Sequence, residues 1–147
     1  MSIDTVQVTS PHVAIATLSL EVVTAVGAAA GVQGFLSGAF DPLVDQLHDA
    51  LPMVEGRVLP AVALGVLVAL PQAVAFGAGV RRHPRAADAG MAVGGVLVAW
   101  VSVQLPLIGW TSPVQWAFVG IGAAEVVTAA LWRRRARRPH AVTDLQP

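Results

Sequence analysis

A chain of 147 residues that is 55% hydrophobic and only 12% charged, with a mean hydropathy of +0.68, is too apolar for an ordinary soluble domain. Its formal charge of zero hides a sharp segregation: eight of the nine Arg fall in two clusters, Arg81/Arg82/Arg85 and Arg133/Arg134/Arg135/Arg137/Arg138. The absence of Cys excludes thiol catalysis, thiolate metal sites and disulfide exchange, and the absence of Lys excludes Schiff-base chemistry. All four His (His12, His48, His83, His140) lie at or beyond the ends of the apolar stretches, so no bis-His haem, metal or other cofactor is expected within them.

The elements in chain order make an all-α integral membrane protein, an antiparallel bundle of four transmembrane helices. After an N-terminal tail, 1–12, the first span covers about 13–36. It is read as retained rather than as a cleaved signal peptide, because the tail has no basic residue and Glu21 interrupts the apolar run. In the connection that follows, Asp41-Pro42 reads as an N-cap followed by proline at the first helical position. Leu43, Val44, Leu47 and Leu51 then recur on one face, opposite Asp45 and Asp49, which predicts a short amphipathic helix in the outer interface. Asp41, Asp45, His48 and Asp49 read as its solvated acidic face rather than as a cation site. Three more spans follow at about 58–80, 89–110 and 114–132, each near the ~20 residues needed to cross a hydrocarbon core. Pro71 and Pro106 each remove a backbone hydrogen bond, freeing the Leu67 and Ser102 carbonyls, and are expected to kink their helices. Trp110 and Trp116 bracket the outer turn, and the chain ends in a basic tail, 133–147.

The pentapeptide Glu-Val-Val-Thr-Ala occurs twice, as Glu21–Ala25 and Glu125–Ala129, each time inside an otherwise uncharged span. An ionised side chain at the centre of a spanning helix costs roughly 2.5 to 3.5 kcal/mol on insertion scales, so both carboxyls are expected to face inward. At about 1.5 Å of rise per residue, Glu21 and Glu125 each lie roughly 12 Å from the inner end of their helix, and Gln72 about 13 Å. Small residues flank them at helical spacing: Ala14, Thr17, Ala25 and Ala28 around Glu21, and Gly65, Ala69, Ala75 and Gly79 around Gln72. Glu21, Thr24, Gln72, Gln104, Glu125 and Thr128 are therefore the candidate ligand-binding set, with Glu21 and Glu125 the candidates for any acid–base role. Two carboxyls in one apolar setting are not both expected to be ionised at pH 7. If the first and last spans do not adjoin within one chain, the pair meets across a subunit interface in a homo-oligomer.

The layout of four helices with a longer first outer connection resembles the DoxX-like small bacterial membrane proteins. Arg-Arg-His-Pro-Arg-Ala at 81–86, with Trp100, Gln104, Gly109, Pro113 and Trp116, is similar to a group of uncharacterised four-helix bacterial proteins. Those likenesses imply a fold and no activity. Leu20-Glu21-Val22-Val23-Thr24 resembles the first-helix motif of small multidrug resistance exporters, which implies a proton-coupled exporter built on that Glu. Against that pattern stand the long 37–57 connection, the second Glu and the lack of any Tyr. Three functions remain open: a scaffold, accessory or lipophile-binding protein; a proton-coupled exporter using Glu21 and Glu125; and a membrane-embedded acid–base enzyme of isomerase or cyclase type. The expected partners are the bilayer, a hydrophobic small molecule and anionic lipids at the C-terminal Arg run, with no nucleic acid.

Lys and Arg accumulate in cytoplasmic loops. Both Arg clusters follow even-numbered spans, which places both termini on the cytoplasmic side of the cell inner membrane and leaves only Arg57 outside. A reporter active only outside the cytoplasm should be silent when fused to the C-terminus and active when inserted at 40–55. Activity at the C-terminus refutes this orientation.

Overall fold

The computed structural model describes residues 11–108 and 113–137, in which all regular structure is helical. Helix α1 spans Pro11–Ser37, α2 Asp41–Ala50, α3 Val58–Leu64, α4 Leu70–Val80, α5 Ala86–Ile108 and α6 Pro113–Ala136. A π-helical turn, Gly65–Ala69, joins α3 to α4 in one rod. Four helices are long and apolar enough to cross a membrane: α1, the Val58–Val80 rod, α5 and α6. Trp110 and most of the turn between α5 and α6, residues 1–10 of the N-terminal tail and 138–147 of the basic tail lie outside the described residues.

The helix ends depart from expectation where charge can be accommodated. The third span begins at Ala86, three residues early, with Asp88 in its first turn. The fourth runs on to Ala136 with Arg133, Arg134 and Arg135 in its last turn. Both placements suit the helix dipole, and Arg133 Nη1 reaches Asp88 Oδ1 at 3.1 Å across the pair.

Pro71 is accompanied by the π turn just upstream of it. It cannot donate to Leu67, and the strain is taken up just upstream, where Leu70 N–H donates to the carbonyl of Gly65, five residues back. The helix widens for one turn instead of breaking.

The packing is carried by small residues. Helix α1 lies against α3, the π turn and α4 on one side and α6 on the other, while α5 packs on α6, α4 and the π turn. The α5–α6 seam is the closest. A Cβ at Gly94 would stand 2.8 Å from Glu125 Cβ and 2.9 Å from the Gly122 carbonyl. At Gly122 it would meet the Gly94 carbonyl at 2.9 Å. Leu64 fills the recess at Gly31, and Leu18 that at Gly79. The outward faces are apolar, with Val23, Val26, Val66, Val74, Val103 and Val127 all exposed, while Thr17, Glu21, Thr24, Gln72 and Glu125 are buried. Apolar outside and polar inside is the reverse of a soluble protein.

Helix α2 shows the amphipathic pattern read from the sequence: Val44 and Leu47 are buried, Leu43 and Leu51 half-buried, and Asp45 and Asp49 exposed. Its start is not as expected. Phe40 is the N-cap, with no side-chain capping bond, and Asp41 is the first helical residue. The Asp41 carboxylate instead accepts two hydrogen bonds from Arg57, from Nε at 2.7 Å and Nη2 at 2.6 Å. The Arg57 hydrogen bond, aided by its charge, holds Asp41 below the usual carboxylate range. Gly38, at φ +86°, makes the reversal into α2, and its missing Cβ leaves room for the Arg57 guanidinium.

The seam yields a paired test. Gly94→Ala should destabilise the protein by roughly 1–3 kcal/mol, because two of the three atoms it meets are backbone and have little room to shift. Gly95→Ala, with nothing within 4 Å, should not. Thermal unfolding in detergent compares them, and equal melting temperatures refute the seam.

Candidate functional site

Glu125, fully buried on α6, accepts from two other helices. Thr24 Oγ1 of α1 donates to Oε1 at 2.9 Å, and Gln72 Nε2 of α4 donates to Oε2 at 2.7 Å. Three of the four long helices are thus joined at one carboxylate. In an apolar interior such bonds gain strength from the low dielectric, and leaving them unmade is costly.

Glu21 lies one turn before Thr24 on the same helix and is equally buried. It interacts electrostatically with Glu125, yet among the described residues neither of its oxygens has a hydrogen-bond partner, and nor does Gln72 Oε1. Gly90 of α5 makes room for it: a Cβ there would lie 2.8 Å from Glu21 Oε1, and 3.2 Å from both Thr17 Cγ2 and Ala129 Cβ. Three buried acceptor oxygens without donors call for a proton or a donor group from elsewhere.

The two copies of Glu-Val-Val-Thr-Ala therefore do different work. Thr24 serves the other copy's Glu, whereas Thr128 turns its hydroxyl onto its own helix, to the carbonyls of Ala124 at 2.8 Å and Glu125 at 3.2 Å. Thr17 likewise bonds the Val13 carbonyl at 3.0 Å. Of the six candidate residues, Glu21, Thr24, Gln72 and Glu125 come together; Thr128 is adjacent but turned away, and Gln104 lies elsewhere. The site residues outside the six candidates are glycines: the recesses at Gly90, Gly94 and Gly122 accommodate Glu21 and Glu125, and the position of Gly122 three residues before Glu125 is their signal in the sequence.

Gln104 instead lines a separate cavity of about 760 Å³ with apolar walls from α1, α3, the C-terminal half of α5 and the N-terminal half of α6. Leu43 and Leu47 of α2, with Leu51 just after it, roof it. Its floor is the buried cluster Ala28, Val68, Leu97 and Val101. Ala28 is one turn from Thr24, and Val68 one turn from Gln72. The polar cluster thus lies directly beneath the cavity floor.

Among the described residues no three His or acidic side chains converge on a point that would hold a metal. Asp41 is taken by Arg57, and His48 Nδ1 lies 3.1 Å from the Val54 carbonyl. Comparisons with protein families, with curated proteins and with solved structures found no match to this chain.

The hydroxyls give a clean contrast. Thr24→Val and Gln72→Leu each remove a donor from a buried carboxylate and should each cost about 1–3 kcal/mol. Thr128→Val, whose hydroxyl serves only its own backbone, should be close to neutral in the same unfolding assay. A Thr128→Val loss as large as that of Thr24→Val contradicts the division of roles.

Proposed function

We propose that this is a multi-pass protein of the cell inner membrane that binds a lipophile in the cavity beneath α2. In this reading the four long helices form an antiparallel bundle with both termini cytoplasmic, and α2 lies in the outer interface. The DoxX-like layout agrees with that arrangement. The observation that carries the reading is the cavity itself. Its volume of about 760 Å³ is that of a small-molecule site, its walls are apolar, and its floor rests one turn from a buried carboxylate cluster. The cluster gives that floor a fixed, hydrogen-bonded foundation.

A second reading, a proton-coupled exporter, is favoured by one observation: Glu21 is buried with both oxygens unpartnered beside a second carboxyl. A group in that state takes up or releases a proton at a large change in local energy, which is how protonation is coupled to conformation. The Glu21→Gln and Glu125→Gln variants separate the two. They should leave lipophile retention intact under the first reading and abolish proton-driven efflux under the second.

The cavity is tested by filling it. Gly27 lines it, and a Cβ there meets nothing within 4 Å, so Gly27→Leu starts a side chain from an unobstructed position on the cavity wall. Wild-type protein purified in mild detergent should carry a membrane lipophile detectable by mass spectrometry. Gly27→Leu should retain it about tenfold less, equivalent to about 1.4 kcal/mol, at an unchanged melting temperature. Wild-type protein that neither retains nor rebinds any lipophile overturns the proposal.

A further inference from the structure

We infer that the cavity selects an uncharged amphiphile, a long apolar body ending in a hydroxyl or carbonyl oxygen, held at that end by Gln104 and Gln115. The inference rests on the lipophile reading and specifies the chemical class of its ligand.

Charge is the first observation. Among the described residues no ionisable side chain lines the cavity, and the polar side-chain groups are the amides of Gln104 and Gln115 and the indole N–H of Trp100. Glu21 and Glu125 lie behind the floor, separated from the cavity by Ala28, Val68, Leu97 and Val101, each 4% exposed or less. A carboxylate or ammonium ligand would thus be buried without a counter-ion, at a cost far above that of a neutral oxygen.

Placement is the second. Gln104 is near the end of α5 and Gln115 near the start of α6, so both amides stand at the same end of the cavity, away from the floor. Trp100 is one turn below Gln104 on α5, and Leu97 lies seven residues, or roughly 10 Å, below it. No hydrogen bond joins either amide to another described side chain, leaving their N–H and C=O groups to a ligand. An amide both donates and accepts, so two of them suit a hydroxyl or carbonyl oxygen equally. The remainder of the wall, from Trp100 down to the floor, offers only apolar contact to the body of the ligand.

Dodecanol, dodecanoate, dodecylamine and dodecane, each added to the protein in phosphatidylcholine nanodiscs and counted by native mass spectrometry, test the assignment. The alcohol should bind at least about tenfold more tightly than either ion and more tightly than the alkane. The Gln104→Leu/Gln115→Leu double variant should lose the preference for alcohol over alkane while still binding the alkane. Gln104→Glu, which adds a carboxylate, should weaken dodecanol and recruit dodecylamine. Equal binding of dodecanol and dodecanoate, or an alcohol preference that survives in the double variant, overturns this inference and leaves the lipophile cavity standing. Failure of all four probes to bind, or binding that Gly27→Leu does not reduce, removes the cavity reading and the inference with it.

Discussion

Glu125 accepts hydrogen bonds from α1 and α4 while belonging to α6, so the relative height of three helices is set at one carboxylate. In lipid the hydrophobic effect does not drive helices together, since the surrounding tails are as apolar as the side chains. Close packing and a few polar bonds must do it. Two interhelical bonds of about 0.6 kcal/mol each, the average for such contacts, would not hold a bundle. Their weight lies in the alternative: any sliding or rotation of α1, α4 or α6 strands the donors and the carboxylate together. The glycines on α5 and α6 supply the complement, because Gly94 and Gly122 let the backbones approach closely enough to bring Glu125 into reach.

This arrangement divides the molecule along its length. Towards the ends carrying the Arg clusters, small residues close the space: Leu18 occupies the recess at Gly79, and Thr17 and Glu21 the recess at Gly90. Towards the other end α3 packs on α1, the space between the helices opens into the cavity, and α2 covers it. The roof is held by the Asp41–Arg57 pair, by Val44 packed with Phe35 and Ala61, and by its leucines. An exposed ion pair contributes little to global stability, so α2 is held mainly by its apolar contacts.

Much of this was legible in the sequence because it depends on length and periodicity. The four long apolar helices follow from runs that carry no charge other than Glu21 and Glu125, and the buried face of α2 from the spacing of Leu43, Val44, Leu47 and Leu51. That Glu21, Gln72 and Glu125 belong together was legible from the helical rise alone. What was hidden depends on rotation and on partners distant in sequence. Rise gives depth but not facing, so nothing distinguished Thr24, which crosses to Glu125, from Thr128, which bonds its own helix. Asp41 looked like a cap because Asp-Pro so often is one; its partner Arg57 lies sixteen residues away and has no local signature. Gln104 stood out because Pro106 frees a carbonyl beside it, but its position near the C-terminal end of α5 places it at the cavity and not with the carboxylates.

The π turn has a consequence for how one helix serves two neighbours. Ala61 on α3 and Gln72 on α4 are about three α-helical turns apart, which in a regular helix would put them on one face. The wider turn between them carries an extra residue and rotates α4 by roughly a quarter turn relative to α3. Ala61 can therefore pack with Phe35 and Val44 beneath α2 while Gln72 faces the carboxylate of α6. The rod is a cavity wall at one end and a hydrogen-bond donor at the other, and the five residues Gly65–Ala69 are the swivel that lets a single sequence of apolar residues fill both posts.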